Sequence, residues 1–246
     1  MNAIETRALT RTFGDITAVN QLNLTVNEGE LFALLGVNGA GKTTAIRMLC
    51  GLLPPTSGDA LLLGRSITAD VAGAKALLNV SPQETAVAAG LTARENLEFI
   101  AGVYGMSRAA ARRAADEMIG RMGLESVAKR RAKQLSGGWQ RRLSIAMGLI
   151  THPKILFLDE PTLGLDVLAR RELWHLIGDL RGRMTVVLTT HYLEEAEALS
   201  DRIGIMARGR LMALGTAPEL IRRAGTENFE DAFVALATGE GAAACA

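Results

Sequence analysis

A glycine-rich turn between a predicted strand and a predicted helix places the strongest constraint on how this chain can fold. Residues 36–43, Gly-Val-Asn-Gly-Ala-Gly-Lys-Thr, match the pattern of Gly, four residues, Gly-Lys and then Ser or Thr. An apolar run, Leu31 to Leu35, precedes the turn, and residues 44–49 have the composition of a first helical segment. Glycines let consecutive N–H groups curl around phosphate oxygens, and the helix start adds the positive end of its dipole. The turn therefore predicts a nucleoside triphosphate site.

A second apolar run ends in two adjacent acids. Residues 154–158 read as a buried strand, and Asp159 and Glu160 follow directly. Ligands gather at the carboxyl ends of the strands in a parallel sheet. Asp159 would hold magnesium through its water shell, and Glu160 would accept a proton from an attacking water. The alternative is a buried strand that happens to end in solvated acids.

Three other residues each permit two interpretations, and a fourth permits one. Gln83 ends a predicted strand and is either a ligand of magnesium or water, or an ordinary loop residue. His191 ends another and either contacts a phosphate or is a capping or core histidine. Phe13 either stacks on a base or belongs to the core. Asp166 has the position of the N-cap of a helix that would run through Leu180, with Leu168 among the apolar positions of its core face.

Composition limits the class of protein. The 246 residues are 48% hydrophobic with a net charge of +1, which suits one globular domain and does not indicate a nucleic-acid partner. No run approaches the ~20 apolar residues of a membrane span, and the N-terminus lacks the features of a signal peptide, so we expect a cytoplasmic protein. Cys50 and Cys245 predict a reducing compartment with no disulfide framework and no metal site.

The charge is distributed unevenly. Residues 106–142 carry ten Lys and Arg against three Asp and Glu. This segment belongs to a helical block in which Thr92 with Glu95 fits a capping box and Ser107 can cap the next helix. Ser136, followed by two glycines, is placed to cap a further helix and to expose its first N–H groups. The basic excess is either a solvated face or a surface for a partner, and the Ser136 segment is either a second anion site or an ordinary capped helix.

Together the patterns predict an α/β fold of one domain over residues 1–246. We expect a phosphate-loop NTPase core with a mostly parallel sheet, preceded by an antiparallel β subdomain within residues 3–34. A helical subdomain is expected over about 84–150, and a hairpin with helices over about 201–246.

The order of these features resembles that of the ATP-binding cassette (ABC) ATPases. The match runs from about Ile4 to Met212 and includes the phosphate loop, Gln83, the signature Leu-Ser-Gly-Gly at residues 135–138, the acid pair, Asp166 and His191. Residues 190–197 and 229–236 resemble the ATPases of exporters for drugs, sodium ions, polysaccharides and lipid-like molecules. Trp139 departs from the glutamine that the family most often has there, and Phe13 replaces a more usual tyrosine.

The resemblance implies ATP with Mg²⁺ as ligands, and a role for each matching residue. Glu160 would be the general base, Gln83 and His191 would assist at the γ-phosphate, and Asp166 would communicate across a dimer. The residues implied in nucleotide binding are Phe13, Gly36, Asn38, Gly39, Ala40, Gly41, Lys42, Thr43, Thr44, Ser136, Gly137, Gly138 and Asp166. The residues implied at magnesium are Thr43, Gln83 and Asp159.

The resemblance also implies partners. Two cassettes pair head to tail in this family, so that Ser136 of one copy covers the phosphate held by Lys42 of the other. The second cassette would be another copy of this chain or a homologous one. The block from about Glu84 to Lys133 resembles the part that docks on an integral membrane subunit, at the cytoplasmic face of the membrane.

Three functions remain open on the sequence. The expected one is the ATPase subunit of an exporter. The first alternative is a soluble cassette ATPase acting on ribosomes or nucleic acid, although such relatives usually carry two cassettes or a long coiled-coil insertion. The second alternative is the ATPase of an importer.

Overall fold

The computed structural model describes residues 1–239. The strands are β1 (Asn2–Phe13), β2 (Ile16–Leu22), β3 (Thr25–Asn27), β4 (Leu31–Leu35), β5 (Ser57–Leu62), β6 (Arg65–Ser66), β7 (Leu78–Ser81), β8 (Ile155–Asp159), β9 (Thr185–Thr190), β10 (Arg202–Ala207) and β11 (Arg210–Gly215). The α-helices are α1 (Lys42–Leu49), α2 (Val71–Lys75), α3 (Ala93–Val103), α4 (Arg108–Arg121), α5 (Gly137–Leu149), α6 (Val167–Gly178), α7 (Leu193–Leu199), α8 (Ala217–Ala224) and α9 (Phe229–Thr238).

The central layer is a six-stranded sheet in the order β11-β10-β4-β9-β8-β7. Its neighbours are parallel except for the β10–β11 hairpin, which is antiparallel. The strand before the phosphate loop, β4, thus lies inside the sheet between β10 and β9. The predicted mostly parallel sheet is confirmed, as is the hairpin near the C-terminal end.

The second layer is an antiparallel sheet in the order β2-β1-β5-β6, with β3 also paired to β1. The predicted antiparallel subdomain is confirmed for β1 to β3. Within the same predicted range, however, β4 joins the parallel sheet, because its five buried residues need cover on both faces.

Two apolar cores cover the two faces of the six-stranded sheet. Leu31, Ala33 and Leu35 of β4 point to a core shared with helices α3 to α9. Phe32 and Leu34 point to a core shared with α1 and the antiparallel sheet. Because alternate residues of one strand serve different cores, β4 and the phosphate loop after it are held from both sides.

Most predicted helix starts occur where the sequence places them. Thr92 and Glu95 form a complete capping box, and Ser107 accepts from the Ala110 N–H. Asp166 caps α6 through the N–H groups of Leu168 and Ala169. The prediction for α6 is wrong in two details, since the helix ends at Gly178 rather than at residue 180 and Leu168 is 74% exposed instead of in the core.

Helices α3, α4 and α5 fall within the predicted helical subdomain, whose bounds remain a prediction.

Cys50 is a buried free thiol, and burial raises its pKa. Cys245 and the end of the predicted C-terminal segment, residues 240–246, lie outside the described residues. Within residues 1–239, every helix is too short or too polar to span a bilayer.

Candidate functional site

The carboxyl ends of four parallel strands form one wall of a cavity of about 400 Å³. The phosphate loop leaves β4, the acid pair leaves β8, His191 follows β9 and Gln83 follows β7. Ala18 of β2 closes the cavity from the antiparallel sheet. The lining consists of Ala18, Asn38, Gly39, Ala40, Gly41, Lys42, Thr43, Thr44, Gln83, Glu160, Leu163 and His191.

The phosphate loop can exist only with glycine at two of its positions. A Cβ at Gly36 would overlap the Met206 carbonyl oxygen, and one at Gly41 would overlap the Ala18 carbonyl oxygen. Gly41 also has φ +104°, in the left-handed region that side chains disfavour, and it is the N-cap of α1. The loop therefore presents backbone to the cavity, as a phosphate cradle requires.

Lys42 and Glu160 meet across this cavity. Lys42 Nζ lies 3.5 Å from Glu160 Oε1, and the two side chains are 6% and 7% exposed. Lys42 Nζ also donates to the Gly36 carbonyl at 2.6 Å. The other Glu160 oxygen, Oε2, lies 2.7 Å from His191 Nδ1. Glu160 is thus held between two potential cations at the point where a terminal phosphate would enter.

Glu160 also has an unusual backbone. Its φ is +50°, whereas a non-glycine residue in the left-handed region costs about 1–3 kcal/mol. Its N–H donates to Thr189 Oγ1 at 3.0 Å, which fixes the turn against β9. This conformation aims the side chain into the cavity instead of continuing β8.

Asp159 faces the start of α1. Its Oδ1 accepts from Thr189 Oγ1 at 2.6 Å and lies 3.2 Å from Thr43 Oγ1. A carboxylate beside a hydroxyl supplies the hard oxygen atoms that Mg²⁺ prefers, and Mg²⁺ beside a nucleotide commonly uses only one or two carboxylates with phosphate and water. Thr43 and Asp159 therefore fit a magnesium ion, and Gln83 lines the same cavity.

Other predicted site residues lie outside this lining. Ser136 is the N-cap of α5, but its hydroxyl makes no capping hydrogen bond, and Ser136 and Gly137 are exposed. Asp166 is an exposed helix cap. Ser136, Gly137, Gly138 and Asp166 therefore do not complete the cavity of their own chain.

Phe13 is 46% exposed at the end of β1, so the alternative of a core phenylalanine is wrong. The Arg11 guanidinium lies 4.6 Å from the centre of its ring and covers one face. Base stacking by Phe13 stays a prediction.

Two buried charged residues near the site escaped the sequence analysis. Arg141 is 6% exposed, and its guanidinium donates to the carbonyls of Pro82 and Gln83. Its position i−4 and i−7 from two buried residues of α5, Ile145 and Gly148, could have revealed that it faces inward. Glu195 is fully buried and accepts from Thr162 Oγ1 and Trp174 Nε1, for which the sequence carries no signal.

The fold and the cavity together define the class of phosphate-loop nucleotide hydrolases. A glycine-rich loop between a central parallel strand and a helix faces an acid pair at the end of the next strand but one, and this arrangement serves phosphoryl transfer. The comparisons with known proteins identify the family within that class.

A family model described as "ABC transporter" matches residues 19–163. The chain is 42% identical over 243 residues to the "Probable multidrug ABC transporter ATP-binding protein YbhF" of Escherichia coli (strain K12), covering 95% of this chain and 41% of that protein. It is 41% identical over 213 residues to the "Doxorubicin resistance ATP-binding protein DrrA" of Mycobacterium tuberculosis (strain ATCC 25618 / H37Rv), covering 86% of this chain and 64% of that protein.

Among solved structures, an ATP-binding subunit of an ABC transporter superposes with a TM-score of 0.83 at 27% identity, covering 95% of this chain and 99% of that one. The chain therefore belongs to the ABC transporter family, whose ATP-binding domains use ATP with Mg²⁺. It spans about two fifths of the length of its YbhF relative.

Proposed function

We propose that this chain hydrolyses ATP as the nucleotide-binding subunit of an ABC exporter. The observation that carries the proposal is the convergence of Lys42, Asp159, Glu160 and His191 at one edge of the sheet, around a loop that only glycine permits. The names of the relatives YbhF and DrrA, which refer to multidrug transport and doxorubicin resistance, support the direction of transport.

The proposed chemistry depends on Lys42 exchanging one anionic partner, Glu160, for another, the γ-phosphate. Lys42 pairs with Glu160, and a γ-phosphate arriving at the loop would offer Lys42 a second anion. Glu160 then keeps His191 as its neighbour and is placed to accept the proton of an attacking water. Mg²⁺ held near Thr43 and Asp159 would neutralise charge on the phosphate oxygens.

A second copy completes the site in this proposal. The exposed start of α5, with Ser136 and Gly137, offers N–H groups and a dipole end to an anion. Val167 and Leu168, beside Asp166, are 56% and 74% exposed, which suits burial by another surface. Since each copy carries both a phosphate loop and a signature segment, a head-to-tail pair satisfies both at once.

A membrane subunit is the other proposed partner. A groove of about 430 Å³ lies between β7 and the helices α3 and α5, lined by Leu52, Ile100 and Tyr104 among others. Phe99 and Val103 of α3 are 58% and 64% exposed on the same helix. This apolar area is the part of the helical block that we expect to receive a cytoplasmic loop, so the chain would work at the cytoplasmic face of the membrane.

The test of hydrolysis uses Glu160→Gln. The variant should bind MgATP, accumulate a dimer and lose ATP turnover by about 10²-fold or more, since a general base contributes ~10²–10⁴ in rate. Turnover at the parental rate would refute the role of Glu160.

The shared site is tested with Ser136→Arg. Mixed with Lys42→Met protein, it should form dimers in which one of the two composite sites is intact, whereas each variant alone has none. Recovery of activity in the mixture supports the head-to-tail pair, and full activity of Ser136→Arg alone contradicts it.

Co-purification with a polytopic membrane protein supports the transporter role, while stable association with ribosomes or nucleic acid in its place contradicts it.

A further inference from the structure

Polar groups connect α5 to β7 and to the segment after it. Asn79 Nδ2 donates to the Gly148 carbonyl at 2.7 Å, and the hydroxyls of Ser81 and Ser144 lie 2.9 Å apart. Arg141 donates to the carbonyls of Pro82 at 2.8 Å and Gln83 at 2.5 Å. We call Asn79, Ser81, Ser144 and Arg141, with these carbonyls, the polar ladder. On α5 its members are three and four residues apart, so they follow one face of the helix.

The four side chains of the polar ladder are buried. Asn79, Ser81, Ser144 and Arg141 are 6%, 2%, 5% and 6% exposed. An apolar contact tolerates small shifts of one element along another, whereas a buried polar group that loses its partner carries a full desolvation cost. The ladder therefore fixes one register between α5 and β7.

Arg141 is the member of the polar ladder that bonds to Gln83, a residue lining the triphosphate cavity. Burial lowers the pKa of its guanidinium. The planar guanidinium of Arg141 donates two N–H groups to backbone carbonyls of the segment that follows β7. A lysine offers a point charge in place of the planar guanidinium and cannot reproduce both bonds in the same geometry.

The two ends of this connection carry residues of the proposed site. The Gln83 side chain lines the cavity, and Ser136 begins α5 just over one turn before Arg141. We propose that Arg141 is a positioning residue that makes Gln83 and the start of α5 move as one body. The presence of nucleotide at Gln83 then sets where Ser136 stands. This inference rests on the proposed function, because it assumes that MgATP occupies the cavity.

Trp139 gives a spectroscopic readout of the movement of α5. If Arg141 had a merely structural role, the change in this readout on adding MgATP would persist in Arg141 variants. Trp139 lies in the first turn of α5, half-buried, with the Arg142 guanidinium 4.5 Å from its ring centre. If α5 follows Gln83, MgATP should change the emission of Trp139 in the wild-type chain. The same change should be missing in Trp139→Phe, which assigns the signal.

The experiment compares Arg141→Met, Arg141→Lys and the wild-type chain. The matched control is Arg113→Met, at an exposed arginine of α4. MgATP affinity is measured with a fluorescent ATP analogue, kcat and KM by phosphate release, and folding by thermal denaturation. Arg141→Met should bind MgATP within about threefold of wild type, lose kcat about tenfold or more, and lose the Trp139 response, since two bonds from a charged donor disappear. Arg141→Lys should be intermediate, and Arg113→Met should match wild type.

The outcomes separate the two proposals. Failure of the wild-type chain to bind MgATP overturns the proposed function, and this inference with it. If the wild-type chain binds but Arg141→Met retains both kcat and the Trp139 response, only the positioning role is wrong. A fall in MgATP affinity equal to the fall in kcat also contradicts it. If Arg141→Met does not fold, Arg141→Lys decides, with unchanged KM and reduced kcat expected.

Discussion

The pair formed by Lys42 and Glu160 makes a quantitative prediction about the nucleotide-free protein. Two unit charges 3.5 Å apart attract by about 5 kcal/mol at an effective dielectric constant near 20. Part of this attraction offsets the cost of burying two side chains that are only 6% and 7% exposed. Lys42 also keeps the Gly36 carbonyl, and His191 shares the carboxylate, so we expect a net coupling of about 2 kcal/mol.

A double-mutant cycle measures this coupling. Lys42→Met and Glu160→Gln should each lower the free energy of unfolding by about 3 kcal/mol, because each leaves the other charge buried without its partner. For a chain of this size that corresponds to a Tm about 6–12 °C lower. The double variant should lose about 4 kcal/mol rather than the sum of the single losses.

Urea unfolding in buffer with a magnesium chelator and no nucleotide is the assay. Arg65 and Asp70 supply a matched control, since they lie 2.8 Å apart but are 61% and 41% exposed. The cycle Arg65→Met with Asp70→Asn should show a coupling below about 1 kcal/mol, as surface pairs do. If the losses at Lys42 and Glu160 add to within ~0.5 kcal/mol, the two groups do not stabilise each other and the idea of an exchange of partners on ATP binding is refuted.

Two further predictions concern Glu195 and Gly36. Burial raises the pKa of Glu195 above its ordinary value of 4.5. As pH rises through 4.5, the carboxyl therefore ionises first in the unfolded chain, and the folded state loses stability relative to Glu195→Gln. The loss should be about 1.4 kcal/mol per pH unit until the pKa of the folded state is reached. Unfolding free energies of both proteins across pH should diverge in that sense, and parallel curves would show that Glu195 is not protonated in the fold. Gly36→Ala should lose MgATP binding and about 1–3 kcal/mol of stability, because its methyl group meets the Met206 carbonyl; Gly90→Ala, whose methyl group meets nothing within 4 Å, should stay close to wild type in both measurements.

The sequence predicted the architecture because its strongest signals are local. The glycine loop, the apolar strands and the caps at Thr92, Ser107 and Asp166 each depend on neighbouring residues. Helices α2 and α7, with five and seven residues, escaped the analysis because they are too short to show a clear period.

Contacts between distant segments could not be read in the same way. The Lys42–Glu160 pair, the positive φ of Glu160 and the bonds from Arg141 to Gln83 depend on how β4, β7 and β8 are placed side by side. A pattern locates acids at the end of a strand, but it does not say which neighbour each acid meets. The prediction that Leu168 is buried failed for a similar reason. Helical spacing cannot distinguish a face that packs on the core from an apolar face that contacts another surface.

The central position of β4 has a consequence for how the protein is made. Glu30, just before this strand, pairs with Arg202, which is 172 residues further along the chain. At ~5–20 residues per second, a ribosome needs roughly ten seconds or more to deliver the neighbours of a strand that it produced early. During that interval the apolar strand beside the phosphate loop has no partners in the sheet. We therefore expect newly made chains to depend on chaperones until β9 and β10 have emerged, and to gain affinity for nucleotide only after that point.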